Sequence, residues 1–153
     1  MYNADPYGRV SLTGRLLHIH LKPAHGQPMR AVREALAVEA RGLEGDNAFG
    51  RRSRQVLLIE AETLERFGLA PGAVRENLTV SGMRLVDLPP DSILEVGAAR
   101  LQIRGDCEPC SQMDALRPGL QDALRGQRGM LANVKHGGRI RVGDPVRLLE
   151  TES

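Results

Sequence analysis

Two cysteines three positions apart, Cys107 and Cys110, are the residues of this chain best suited to chemistry. They lie in Asp106-Cys107-Glu108-Pro109-Cys110 and are its only cysteines. A bridge between them would close almost no loop, so it could not staple a fold of 153 residues. Thiols so spaced suit metal binding, redox chemistry or sulfur chemistry. Half a zinc site needs two more ligands. No second Cys pair exists, His136 is the nearest His, and His18, His20 and His25 are distant in sequence, so no zinc is expected. A thioredoxin-like dithiol follows a strand and opens a helix within a βαβ unit. The pair sits where an apparent strand gives way to a helix, but the surrounding pattern is all-β.

A single working thiolate is the third reading. Cys110 follows Pro109 and precedes Ser111 at the start of a helical stretch. The positive end of a helix favours the anion of a thiol whose free pKa is about 8.5. That anion attacks sulfur donors and ligates soft metals such as molybdenum. Cys107, beside Asp106 and Glu108, sits in a field less favourable to its anion. Cys110 is therefore the candidate catalytic residue and metal ligand. Two buried cysteines without chemistry form the plain alternative, since free Cys packs well in cores.

Groups that bind anions recur elsewhere. Arg75-Glu76-Asn77 puts a guanidinium and an amide on one face of an extended segment. Arg128-Gly129-Met130 places bare backbone beside an Arg, and Lys135-His136-Gly137-Gly138 adds an amine at a turn. Glycine N–H groups with Arg and Lys suit a phosphate, although turns need Gly anyway and Arg75 and Glu76 could form a surface ion pair. Arg54, by charge and position, joins Arg75, Asn77, Arg128 and Lys135 as a candidate cofactor-binding residue. His18 and His20 share a strand face, either as a metal edge or as the polar side of a half-buried strand.

The elements that position these groups are short. Gly14–Lys22 alternates, with Leu17, Ile19 and Leu21 facing one way. Strands are also expected over 32–40, 54–59, 77–80, 93–96 and 99–104, and in a closing meander around Met130–Val134, Ile140–Val142 and Val146–Leu148. The run Val56-Leu57-Leu58-Ile59 reads as a strand buried on both faces. Helices are expected over 60–67, with Gly68 ending the first, and over 111–124, where Pro118 forces a late start or a kink. About eight short strands and two or three short helices in no regular βαβ order predict a mostly-β barrel with helical decorations.

Length suits one domain, expected over 8–149 with frayed termini at 1–7 and 150–153. The net charge of +2, 3% aromatics and no Trp argue against nucleic-acid binding. No apolar run is long enough for a membrane span, so no membrane partner is expected. The start lacks the pattern of an export signal and cysteine is scarce, which together predict a reducing cytoplasm.

Taken in order, several runs resemble the MOSC domain family, named for the C-terminal domain of molybdenum-cofactor sulfurase. They are Gly42-Leu43-Glu44-Gly45-Asp46, Arg54-Gln55-Val56, Arg75-Glu76-Asn77-Leu78, Cys107-Glu108-Pro109-Cys110 and Arg128-Gly129-Met130-Leu131-Ala132-Asn133-Val134, the last followed by Gly138, Ile140, Gly143 and Asp144. The resemblance covers about Gly14 to Leu148. It implies a compact β-barrel and a functional cysteine at Cys110, which carries sulfur as a persulfide or ligates the molybdenum of a pterin cofactor. It also implies that Arg75 and Asn77 lie near that cofactor. Many relatives have His after the Gly-x-x-Gly-Asp segment, where this chain has Asn47-Ala48-Phe49. The chain lacks the pyridoxal-phosphate domain of the sulfurases, so a separate desulfurase would donate sulfur, or a molybdoenzyme would be the partner. Two alternatives accompany this expectation: a molybdenum-cofactor-dependent reductase of N-hydroxylated substrates, and a non-catalytic redox-sensing or binding module built on the dithiol.

Overall fold

The computed structural model describes residues 2–4, 10–109 and 112–151, with side chains described over 13–109 and 112–149. Cys110 and Ser111 lie outside the described residues. In chain order the strands are β1 (Tyr2–Ala4), β2 (Val10–Leu21), β3 (Arg30–Val32), β4 (Glu34–Val38), β5 (Gly42–Leu43) and β6 (Val56–Glu60). They continue with β7 (Leu78–Ser81), β8 (Ser92–Val96), β9 (Ala99–Asp106), β10 (Met130–His136), β11 (Gly138–Arg141) and β12 (Pro145–Thr151). Three short helices decorate them: α1 (Ala61–Arg66), α2 (Gln112–Leu116) and α3 (Leu120–Ala123).

β2, β12, β8, β9, β10, β6 and β7 hydrogen-bond in that order, and β7 returns to β2, closing a seven-stranded barrel. Closure leaves the barrel without open edges. β1 and β3 pair with β2, and β11, β4 and β5 form a separate small sheet. Every pairing in the barrel is antiparallel except β6 with β7. Parallel neighbours cannot be joined by a tight turn and need a crossover. Here the crossover is residues 61–77, which carries α1 and ends on Arg75-Glu76-Asn77.

The barrel interior is filled by Leu16, Ile19, Leu58, Leu78, Leu94, Leu101 and their neighbours, all nearly inaccessible. A second cluster, of Ile59, Leu64, Val74, Met113, Leu120 and Leu124, packs the helices and the crossover against the outside of β6. Every residue of β6 is therefore buried, as expected of a strand covered on both faces. Leu58 points into the barrel, while Leu57 and Ile59 point out of it.

Two local expectations are corrected. In β2 the register shifts between Leu16 and His18, so Leu16 enters the core beside Ile19 and Leu21 while Leu17 is only partly buried. A bulge of this kind breaks strict alternation. His20, expected on a polar face, is buried beneath the crossover; a Cβ on Gly72 would come within 2.9 Å of its ring. The helical stretch after Cys110 is divided where Pro118 falls, with Gly119 in the left-handed region at φ 85°. Gly68, at φ 65°, ends the stretch begun by α1. Among the described residues no helix is long and apolar enough to cross a membrane.

Candidate functional site

A cavity of about 230 Å³ opens on the outer face of β6 and β10. Leu57 and Leu131, paired across these strands, form its apolar floor. Lys22, Arg51, Arg54, Arg75 and Arg128 line its walls. Cys107, Gln112 and Met113 border it on another side.

The walls are held by polar side chains whose bonding capacity goes into the fold. Asp46 Oδ1 accepts from the Lys22 backbone N–H at 2.8 Å and from Asn77 Nδ2 at 3.1 Å, and its Oδ2 accepts from the Ala48 N–H at 3.0 Å. Asn77 also donates Nδ2 to the His20 carbonyl at 3.0 Å, and its Oδ1 accepts from the Leu57 N–H at 2.9 Å. Gln55 donates Nε2 to the Ala40 and Arg51 carbonyls and accepts from the Val134 N–H. Gly42, at φ 112°, lies against the Gln55 side chain, where a Cβ would sit 3.3 Å from Gln55 Cβ. Asn77 lines the cavity, but both its amide donors and its oxygen are engaged within the protein. Its place in the site is that of a tie between β2, β6 and the Asp46 turn.

The cations are less satisfied. Arg54 and Arg75 both adopt the left-handed region, at φ 55° and 65°. For residues with a Cβ this conformation is costly, and such strain gathers at functional sites. Replacing Arg54 by Gly is expected to raise stability by roughly 0.5–1 kcal/mol, the left-handed strain relieved less the entropy glycine adds to the unfolded chain. If the cavity holds an anion, as proposed below, the same change should weaken its binding several-fold, so chemical denaturation and titration with an anion should move in opposite directions. The Lys22 pKa is lowered by burial first and by Arg75 next; Arg51 and Arg128 add to this and Asp46 opposes it. An anion in the cavity would relieve that crowding.

Arg128 is the most constrained cation. It is 7% exposed and donates Nη2 to the Val74 carbonyl at 2.8 Å, while Nε and Nη1 are buried with no partner among the described residues. Buried N–H groups of a guanidinium are rarely left unbonded. Glu76, fully buried nearby, accepts from the Gly72 N–H at 2.5 Å and the Val74 N–H at 3.2 Å. Burial pushes its carboxyl pKa up, against the pull of those N–H groups and of Arg128.

Cys107 is buried; its N–H donates to the Gly129 carbonyl at 2.9 Å and its thiol to the Glu108 carbonyl at 3.8 Å. Cys110, the candidate nucleophile and metal ligand, lies outside the described residues, between two that border the cavity, Cys107 and Gln112. No three His, Cys, Asp or Glu side chains gather to hold a metal among the described residues. A zinc site built on the cysteine pair would need two of them beside Cys107.

The structure thus brings Arg54, Arg75, Asn77 and Arg128 to one cavity. Lys135 is exposed on β10, four residues beyond Leu131, which is roughly 13 Å at the rise of a strand. It lies outside the cavity lining. Sequence reasoning missed Lys22 and Arg51, which belong to no motif; Lys22, just beyond β2, is fixed at the site by Asp46, which accepts its N–H, and by Asn47, which bonds its carbonyl. Asn47 and Ala48, which follow Asp46, also line the cavity.

A closed β-barrel with a cationic cavity beside a cysteine-bearing segment is the class that fold and site define. Within it, the chain belongs to the MOSC domain family, whose model matches residues 24–147. The family is associated in general with binding of the molybdenum cofactor. The chain is similar in fold to the YuaD protein from Bacillus subtilis, with a TM-score of 0.77 and 19% identity over 99% of this chain and 100% of that one. It is similar also to YiiM from Escherichia coli (TM-score 0.68, 22% identity, 91% of this chain and 71% of that one). YiiM from Geobacillus stearothermophilus gives a TM-score of 0.70 and 21% identity, covering 90% of this chain and 75% of that one. Comparison with curated proteins finds no match.

Proposed function

We propose that the cavity binds the phosphate-bearing pterin of the molybdenum cofactor and that Cys110 carries sulfur to it or ligates its metal. The observation that carries this reading is Arg128, with two guanidinium nitrogens buried and unpartnered among the described residues, beside four further cations. That donor set fits the anionic end of the cofactor: guanidinium forks bind phosphate oxygens in pairs. When bound, the cofactor supplies a molybdenum centre able to exchange electrons and sulfur or oxygen ligands.

The chain's own part is binding, orientation and nucleophilic attack. Arg54, Arg75, Arg128, Lys22 and Arg51 hold the anion, while Leu57 and Leu131 offer an apolar surface to the ring system. In the carrier role, the Cys110 thiolate attacks the outer sulfur of a donor persulfide. The donor's S–S bond breaks, the donor leaves as a thiolate, and Cys110 holds the persulfide. A desulfurase is the fitting donor, because no described residue of the cavity lining generates sulfane sulfur.

Freshly purified protein provides the test, through mass spectrometry, released-pterin fluorescence and metal analysis. Cys110→Ser should lose the sulfur adduct or the metal, and Arg128→Ala should lose the pterin. Two charge-assisted hydrogen bonds of about 1.5–3 kcal/mol each correspond to a loss of about 100-fold or more in affinity. A persulfide without metal would assign the carrier role, and retained molybdenum the reduction of N-hydroxylated substrates. Full retention of both ligands in both variants would reject the site.

A further inference from the structure

Among the described residues the buried carboxylate of Glu76 pairs with no cation directly, yet it lies inside the turn that holds Arg128. The turn is built by the Ala73 N–H bonding to the Ala70 carbonyl and the Arg75 N–H to the Gly72 carbonyl, with Gly72 at φ 88°. Gly72 lies against the His20 ring, so the turn is pressed onto β2. Glu76 closes it from within, one oxygen on the Gly72 N–H and the other on the Val74 N–H. Val74 then presents its carbonyl to Arg128 Nη2, and Val74 itself is fully buried in the outer cluster.

We propose that Glu76 is a positioning residue for anion recognition: by tying residues 72–76 it fixes the Val74 carbonyl, which holds the Arg128 guanidinium at the cavity wall, its Nε and Nη1 otherwise unpartnered among the described residues. This rests on the anion-site reading above. A carboxylate suits the task because each of its oxygens can accept a separate N–H. A glutamine has one acceptor oxygen, and its amide would meet the second N–H donor to donor. The same turn carries Arg75, but its Nη2 is held by the Gln27 carbonyl at 2.8 Å, outside residues 72–76, so the tie acts on the cavity through Arg128.

A role through bare charge predicts the opposite outcome to a role through position. Removing a buried negative charge near Arg128 would strengthen anion binding, whereas loosening the turn would weaken it. Sulfate is the probe, since it stays a dianion across the neutral range. Titration calorimetry should compare wild type with Glu76→Gln, Glu76→Asp, Arg128→Ala and the double variant Glu76→Gln/Arg128→Ala. Glu76→Gln should bind sulfate about 5- to 10-fold more weakly. Glu76→Asp, which keeps the charge but is too short to reach both N–H groups, should also weaken binding. In the Arg128→Ala background the Glu76 change should cost nothing further, because its effect passes through that guanidinium.

Unchanged or tighter binding by Glu76→Gln overturns the proposal, as does an equal loss in both backgrounds. If Glu76→Gln does not fold, Glu76→Asp decides alone: weaker binding supports the positioning role and wild-type affinity removes it. Sulfate binding that Arg128→Ala leaves intact would instead reject the anion site itself.

Discussion

Replacing Asn77 with Ala is expected to lower unfolding stability by about 4 kcal/mol, as measured by urea denaturation. Three bonds vanish together: those to the Leu57 N–H, the His20 carbonyl and Asp46 Oδ1. Asn77 is only 6% exposed, so water replaces them poorly. Each buried group left unbonded costs about 1–3 kcal/mol. Asn77→Asp gives the sharper test. Its new oxygen would face the His20 carbonyl and the Asp46 carboxylate, where the amide now donates. Two carboxylates in one site oppose ionisation of both, and the pKa of one rises. Its proton is then bound more tightly in the folded state than in the unfolded one. Relative to wild type, whose buried Glu76 and Glu60 already favour folding as the pH falls, Asn77→Asp should therefore regain stability from pH 7 towards 5, while the deficit of Asn77→Ala stays constant. Equal behaviour of the two variants would remove Asn77 from its place as a tie.

Gly129→Ala should be nearly as damaging, with a loss of about 3 kcal/mol or more. A Cβ at this position would lie 2.3 Å from the Leu58 carbonyl oxygen, which is backbone within β6 and cannot turn aside. The glycine also sits at φ 140°, a conformation that side chains rarely adopt. The effect should extend to the site, because Gly129 follows Arg128 and its carbonyl receives the Cys107 N–H. Anion affinity and the thermal midpoint should fall together. Gly126→Ala offers the comparison: nothing lies within 4 Å of its Cβ, so only the conformational strain at φ 79° remains. A Gly129→Ala protein as stable as Gly126→Ala would show that this close approach is relaxed.

Much of the barrel was legible in the chain because its signals are local. Val56-Leu57-Leu58-Ile59 announces a strand covered on both faces, and so it is. Pro118 announces the break between α2 and α3. The bulge in β2 was not legible, because Leu16 and Leu17 are equally apolar and only the pairing with β7 selects Leu16 for the core. The very short β5, Gly42–Leu43, carries too little pattern to be seen. For the site, motif residues divided into two kinds that sequence could not separate. Asp46, Gln55 and Asn77 have polar side chains spent on holding the walls, whereas Arg54, Arg75 and Arg128 present charge to the cavity. Lys22 and Arg51 carry no local signature, because only tertiary pairing brings them there.

The lone parallel pair of the barrel has a thermodynamic corollary. Because β6 and β7 meet only after the crossover has folded back, Arg75 and Arg128 become neighbours of one cavity in the native topology alone. An unfolded chain offers a multivalent anion no comparable cradle. On the proposed anion-site reading, ligand binding and ring closure are linked equilibria, and occupancy would act as a clasp on the whole barrel. At a free ligand concentration 100 times Kd, the linkage is worth about 2.7 kcal/mol, so saturation with an oxyanion should itself delay global unfolding.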